Sequence, residues 1–150
     1  MSTRPHPADR GLAAVARVRE VRETDSRIGL QQMLAEQASV AGRLAALEQG
    51  LANAAVPAVT TPAALLADRT ALTGAGVLIG ETRTALDHAQ VLTAESRARW
   101  TTDKTRLAAV EHLLERRAAG RRTAAARAEA RDADDLAGQA WARNRAGARR

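Results

Sequence analysis

Large aromatic side chains are almost missing from this 150-residue sequence. It contains no Phe and no Tyr, and its two aromatic residues are Trp100 and Trp141. Aromatic side chains dominate the energetics of most globular cores, and most of the 45% hydrophobic content is alanine. Because a packed core needs large side chains at native density, the composition argues against an ordinary globular domain. It favours long helices that each bury one narrow stripe.

Cysteine is also absent, and histidine is rare. The lack of cysteine excludes a disulfide scaffold and a thiolate metal site, and it fits a reducing cytoplasm. His112 lies between Glu111 and Glu115, but no second copy of such a pair provides the facing ligands of a metal-binding helical bundle. We therefore expect no metal, no cofactor and no catalytic site, and hence neither an enzyme nor a small-molecule substrate.

Two segments could be mistaken for targeting or membrane sequences. Residues 1–10 contain no apolar run, so we expect no secretory signal there. The uncharged run of residues 49–67 contains Pro57 and Pro62. Such helix breakers favour a loop between two helices over a membrane span.

The sequence predicts two helices joined by a turn that contains proline. The first is expected over about residues 10–54, after Asp9 as N-cap, and the turn over about 55–61. The second is expected over about 62–146, with Thr61 as N-cap and Pro62 in the first turn. Apolar residues in the first helix follow two phases separated by a stutter; the predicted seam comprises Val18, Val21, Ile28, Val40, Leu44, Leu47 and Leu51.

A strict seven-residue repeat marks the second helix. Seven of its eight positions carry large apolar residues, with Thr93 as the exception: Leu65, Leu72, Ile79, Leu86, Trp100, Leu107 and Leu114. Such a repeat imposes a left-handed supercoil with a partner helix, and a short connection makes the first helix that partner. The predicted fold is all-α: an antiparallel two-helix coiled-coil hairpin with a longer second helix. Gly74, Gly76 and Gly80 predict a kinked or frayed stretch.

The two helices are expected to differ in reach. If the turn is centred near Thr60, the first helix can pair only to about residue 110, and the heptad of large residues ends at Leu114. We therefore expect the chain to form one hairpin domain. Residues 115–146 of the second helix are expected to project beyond the first helix. This segment is basic, since residues 115–150 contain ten arginines and five acids.

This basic segment could be a solvated helix face, or it could bind a partner. Its charge would neutralise nucleic-acid phosphates, although its five acids and the single aromatic residue Trp141 make that choice less favourable. An acidic protein cleft is the other candidate partner, since small alanines permit close approach and arginines pair with carboxylates. For the chain as a whole, a purely structural coiled coil that self-associates through the apolar seam is a further alternative.

Residues 100–137, WTTDKTRLAAVEHLLERRAAGRRTAAARAEARDADDLA, resemble the C-terminal signature of the flagellar export protein family FliJ. The shared pattern is an aromatic residue, a Leu-x-Glu-Arg-Arg core, a run rich in Arg and Glu, and a final Asp-Asp-Leu-Ala. The stretch LAAVARVREVRETDSRIGLQQ near the N-terminus is similar to the opening of actinobacterial-type members. The resemblance thus covers the last third and the first thirty residues in detail.

The resemblance implies a non-enzymatic adaptor of the flagellar type III export apparatus. Its partners would be the ring of the export ATPase, the export gate membrane protein and substrate chaperones. The chain would be cytoplasmic and peripheral at the inner-membrane base of the flagellum. The residues predicted to bind the partner are Arg116, Arg117, Arg121, Arg122, Arg127, Arg131, Asp134, Asp135 and Leu136. One departure concerns residues 71–82, which are rich in glycine and lack the aromatic residues expected at the gate contact.

Overall fold

The computed structural model describes residues 6–55 and 60–147, and two helices occupy nearly all of them. A 3-10 turn, Pro7–Asp9, precedes helix α1, Arg10–Ala52, and helix α2 is Pro62–Gly147. α1 contains 43 residues and α2 contains 86. The two helices pack against each other as an antiparallel coiled-coil hairpin with a longer second helix. The predicted fold class is confirmed.

Local signals define the helix ends next to the connection. The Thr61 Oγ1 atom accepts a hydrogen bond from the Ala64 amide at 3.2 Å, and Pro62 is the first residue of α2. This is the predicted cap, which satisfies an amide that has no partner inside the helix. α1 ends at Ala52, two residues before the predicted end. Much of the predicted turn, residues 56–59, lies outside the described residues.

α2 continues through its glycine-rich stretch. Gly74, Gly76 and Gly80 are all helical, and no described glycine has a positive φ. The expected fraying is therefore wrong. A glycine costs about 1 kcal/mol in a helix interior, but extending an existing helix is cooperative. Leu72, which precedes Gly74, and Ile79, which directly precedes Gly80, lie on the packed face and anchor the helix.

The chain divides into two compact units: one is Arg19–Thr105, and the other combines Met1–Val18 with Arg106–Arg150. In the unit Arg19–Thr105, the core is a thin seam. The buried apolar side chains among the described residues are Leu30, Ile79 and Ala89. Thr82 and Thr93 are buried beside them. Small residues such as Ala75, Thr82 and Ala89 occupy alternate seam positions of α2, so the core holds few large side chains.

Polar contacts between the helices set the register of the unit Arg19–Thr105. Trp100 Nε1 donates to Glu23 Oε1 at 2.8 Å, and Thr93 Oγ1 donates to the Met33 carbonyl at 3.2 Å. Arg83 Nη2 donates to Glu48 Oε1 at 2.6 Å. Residue numbers therefore fall along α2 as they rise along α1, which is the antiparallel order.

Most predicted seam residues lie on the packed face. Ile79 is buried, and the others on this face are half-buried: Leu72, Leu86, Trp100, Leu107, Leu114, Val40, Leu44 and Leu47. In the unit Arg19–Thr105, the positions three residues further along α2 are buried or half-buried as well, including Ala75 and Ala89. Two positions per seven residues thus face α1.

Three apolar residues of α1 require a correction. Val18, Val21 and Ile28 were predicted in the seam but are 55%, 60% and 47% exposed. The packed face of α1 in the unit Arg19–Thr105 instead runs through these positions at a regular seven-residue repeat without a stutter: Arg19, Glu23, Ser26, Leu30, Met33, Gln37, Val40, Leu44 and Leu47. The strict repeat of α2 accepts only a partner face with the same period. Polar side chains therefore enter the seam, whereas Val18, Val21 and Ile28 are exposed.

Two leucines next to the connection are also exposed, in contrast to the prediction. Leu51 is 37% exposed and Leu65 is 49% exposed. A groove of about 370 Å³ runs between the ends of the helices, where residues of α1 face Leu72 and Ala75. Leu65 precedes these residues in α2. Helix α1 ends before it reaches the level of Leu65, so it does not cover this side chain.

Candidate partner-binding surface

A buried carboxylate organises the unit formed by Met1–Val18 and Arg106–Arg150. The Asp9 side chain is 4% exposed and binds two arginines one helical turn apart on α2. Arg121 Nη2 lies 2.6 Å from Asp9 Oδ2, and Arg117 Nη1 donates to Asp9 Oδ1 at 3.3 Å. Each carboxylate oxygen therefore has its own guanidinium partner, an arrangement that strengthens an ion pair.

The surroundings of Asp9 have opposing effects on its pKa. Burial raises the pKa, whereas hydrogen bonds and charges from Arg121 and Arg117 lower it, and together they outweigh burial. The pKa of Asp9 therefore lies below its ordinary value. The carboxylate is charged at neutral pH, and both arginines are engaged with it.

This ion pair bears on two expectations. Arg117 and Arg121, which were predicted to bind a partner protein, bind Asp9 of their own chain. The unpartnered part of α2 was expected to begin at residue 115, whereas Asp9 reaches Arg121. The expected start was obtained by counting residues from the centre of the turn, near Thr60. The packed faces of the helices determine the actual register.

Beyond Arg121, α2 has no covering segment among the described residues. Every residue from Arg122 to Gln139 is exposed, and this stretch includes six of the predicted site residues: Arg122, Arg127, Arg131, Asp134, Asp135 and Leu136. Arg116 is exposed as well. The Leu136 side chain is 64% exposed. The segment consists mostly of alanine and charged residues, so the helix is thin and its charges are accessible.

The predicted arginines do not all share one face. At about 100° per residue, Arg127 and Arg131 lie about 20° and 60° from Arg116 around the helix. Arg122 lies about 180° from Arg131 by the same spacing. We name Arg116, Arg127 and Arg131 the arginine stripe. Asp134, 18 residues after Arg116, continues the same line, so a basic stretch is followed by an acidic residue.

Sequence reasoning did not assign Trp141 to this site. Its side chain is 62% exposed, and the Arg145 guanidinium lies 4.9 Å from the ring centroid. Helical spacing places Trp141 about 20° from Arg116, on the line of the arginine stripe. Exposed Trp and Arg side chains are the commonest anchors of protein interfaces. The signal available in the sequence was the 25-residue separation from Arg116, which is close to seven helical turns.

A second exposed surface lies in the first turns of α2, in the unit Arg19–Thr105. Leu66 and Val77 are 67% and 59% exposed. They line a shallow groove with Arg69, Thr70, Thr73 and Gly74. α2 also contains a stretch that is long and apolar enough to cross a membrane by length and composition alone, a weak indication.

The described residues contain no group of three or more His, Asp or Glu side chains that could hold a metal ion. His88 borders a shallow groove with Met33, Val40 and Leu92, and Glu36 is its one acidic neighbour there. The geometry offers surfaces for macromolecules, and the described grooves are open and shallow.

Comparison with known proteins gives one family. The sequence matches the family described as Flagellar FliJ protein over residues 9–146. The chain belongs to the FliJ family. The resemblance in residues 100–137 is thereby confirmed, and the match extends over both helices. No curated protein and no solved structure matches the chain. As a FliJ-family protein, it is a component of the flagellar export apparatus.

Proposed function

We propose that this FliJ-family chain is a non-enzymatic adaptor that couples the flagellar export ATPase to export. The exposed end of α2 enters the ring of the ATPase, and the arginine stripe contacts acidic residues that line it. The observation that carries the proposal is the continuous exposure of Arg122 to Gln139 on a helix with almost no large apolar side chains.

Several features of this segment suit a narrow, acidic binding site. Alanine side chains permit a close approach of the helix backbone, and arginine forms bidentate pairs with carboxylates. The line from Arg116 to Trp141 presents basic residues, then Asp134, then an exposed aromatic ring. A complementary binding site would therefore present acidic groups to the arginine stripe and, further along the helix, an apolar pocket for Trp141.

The arginine stripe makes a matched test possible. Arg131→Glu and Arg122→Glu introduce the same change in one segment, on opposite sides of α2. We expect Arg131→Glu to weaken binding to the purified export ATPase about tenfold, equal to about 1.4 kcal/mol, and Arg122→Glu to have a much smaller effect. Calorimetric titration measures affinity, and circular dichroism checks that helix content is unchanged.

The results separate the proposal from its alternatives. Equal losses for the two variants would indicate a general charge effect without a specific face. Absence of binding by the unmodified chain would refute the ATPase as partner. Titration of duplex DNA under the same conditions provides a further control, because sub-micromolar binding with a steep salt dependence would favour nucleic acid.

The first turns of α2 provide the proposed contact with the export gate membrane protein. Leu66 and Val77 supply exposed apolar area, and Arg69 supplies a charge in the same groove. This contact would place the chain in the cytoplasm, peripheral to the inner membrane at the base of the flagellum. Substrate chaperones are further proposed partners, with no surface assigned to them.

A further inference from the structure

The contact of Asp9 with Arg117 and Arg121 has the geometry of a binding site for a carboxylate. The two guanidinium groups lie four residues apart on α2, so they share one side of the helix. They hold the two oxygens of one carboxylate at 3.3 Å and 2.6 Å. Such a two-armed arrangement selects a carboxylate over a single-point hydrogen-bond acceptor.

The carboxylate that fills this site comes from outside the regular helix. Asp9 ends the 3-10 turn Pro7–Asp9, which is held by short local contacts. Its amide donates to the His6 carbonyl at 2.8 Å, and the Ala8 amide donates to His6 Nδ1 at 3.3 Å. A short turn with local hydrogen bonds can move without disrupting α1, because helix ends open at low free energy.

The arginines remain accessible on their outer sides. The Asp9 side chain is 4% exposed, but those of Arg117 and Arg121 are 49% and 36% exposed. Arg116 and Arg122 are exposed next to them. An approaching acidic side chain would thus meet a positive field and two guanidinium groups with free donors.

We propose that Arg117 and Arg121 form a binding site for an Asp or Glu side chain of a partner protein, and that Asp9 occupies this site in the free chain. An acidic side chain of the partner exchanges with Asp9. This inference deepens the proposed function, since it rests on the basic segment of α2 being the surface that meets the ATPase. It adds a regulatory step to binding, because the partner's carboxylate must displace the Asp9 carboxylate.

Internal competition has a measurable consequence. When a competent state is only a fraction of the population, apparent affinity falls by that fraction. Removing the Asp9 carboxylate should therefore tighten binding of an external carboxylate, by about tenfold if Asp9 is bound nine-tenths of the time. A purely structural ion pair predicts no gain, because loss of Asp9 would then only loosen the turn.

The test uses the full chain, and its probe is a hexaglutamate peptide at low salt. Asp9→Asn preserves the size of the side chain and removes its charge. We expect this variant to bind the peptide about tenfold more tightly than the unmodified chain. The gain should disappear when Arg117→Gln and Arg121→Gln are added. Asp25→Asn, which removes an exposed acid of α1, is the matched control and should leave the affinity unchanged.

Two further measurements complete the design. Asp9→Glu keeps a carboxylate and should retain the weak affinity of the unmodified chain, which supports the proposal even if Asp9→Asn alters the N-terminal turn. Unchanged or weaker peptide binding by Asp9→Asn, or an equal gain in Asp25→Asn, would overturn the exchange. Parallel titrations with the export ATPase separate the two proposals. Tighter peptide binding by Asp9→Asn, without any binding to the ATPase, would support the carboxylate site and refute the ATPase as its partner.

Discussion

The position of the seam on α1 can be tested with two neighbouring residues of similar size. Leu30 is 8% exposed in the seam, whereas Ile28 is 47% exposed outside it. Leu→Ala at a buried site costs 2–5 kcal/mol, and the cost increases with the cavity left behind. Because no described side chain is less than 2% exposed, the cavity at Leu30 opens toward solvent. We therefore expect the low end, about 2 kcal/mol.

Ile28→Ala should behave differently. It loses contacts on one side only and gains helix propensity, since alanine is the best helix former. The two effects oppose each other, and we expect a change within about 0.5 kcal/mol. Unfolding followed by circular dichroism gives both values. At 2–4 °C per kcal/mol for a chain of this size, Leu30→Ala should lower the Tm by about 4–8 °C.

The refuting result is equally clear. If Ile28→Ala cost as much as Leu30→Ala, the seam would follow the valines and Ile28. If Val21→Ala also cost about 2 kcal/mol, the packed face of α1 would be the one with a stutter. Similar small losses for all three variants would mean that this part of the hairpin contributes little to cooperative unfolding.

Three other predictions follow from particular contacts. Gly74→Ala, Gly76→Ala and Gly80→Ala should each stabilise the chain by up to about 1 kcal/mol in urea unfolding, because an added Cβ meets nothing within 4 Å; destabilisation would show that the glycines serve a close approach. Thr93→Val should cost about 0.5–1.5 kcal/mol by removing the hydrogen bond to the Met33 carbonyl, whereas Thr101→Val, at an exposed position, should cost less. Since the pKa of Asp9 is lowered in the folded chain, its stabilisation is fully present above about pH 4 and is lost as the pH falls through the lowered pKa. A Tm series from pH 7 to pH 2 should show this loss in the unmodified chain but a smaller one in Asp9→Asn, and parallel curves would contradict it.

The sequence by itself determined the helical hairpin. A seven-residue repeat from Leu72 to Leu114 admits no fold other than a supercoiled helix with a partner, and Thr61-Pro62 marks where that helix begins. Local chemistry fixes such features, so they are visible without tertiary structure. The motif of residues 100–137 likewise indicated the family. All of its residues lie on one helix, so their spacing can be read directly along the chain.

Tertiary structure decided which face of α1 is packed and which arginines are accessible. The apolar residues Val18, Val21 and Ile28 predict one seam, but the partner helix selects the face that keeps its period, with Arg19 and Glu23 inside it. The pairing of Asp9 with Arg121 joins residues more than a hundred positions apart. No local pattern encodes such a pair, because it depends on the register that the whole length of the two helices establishes together.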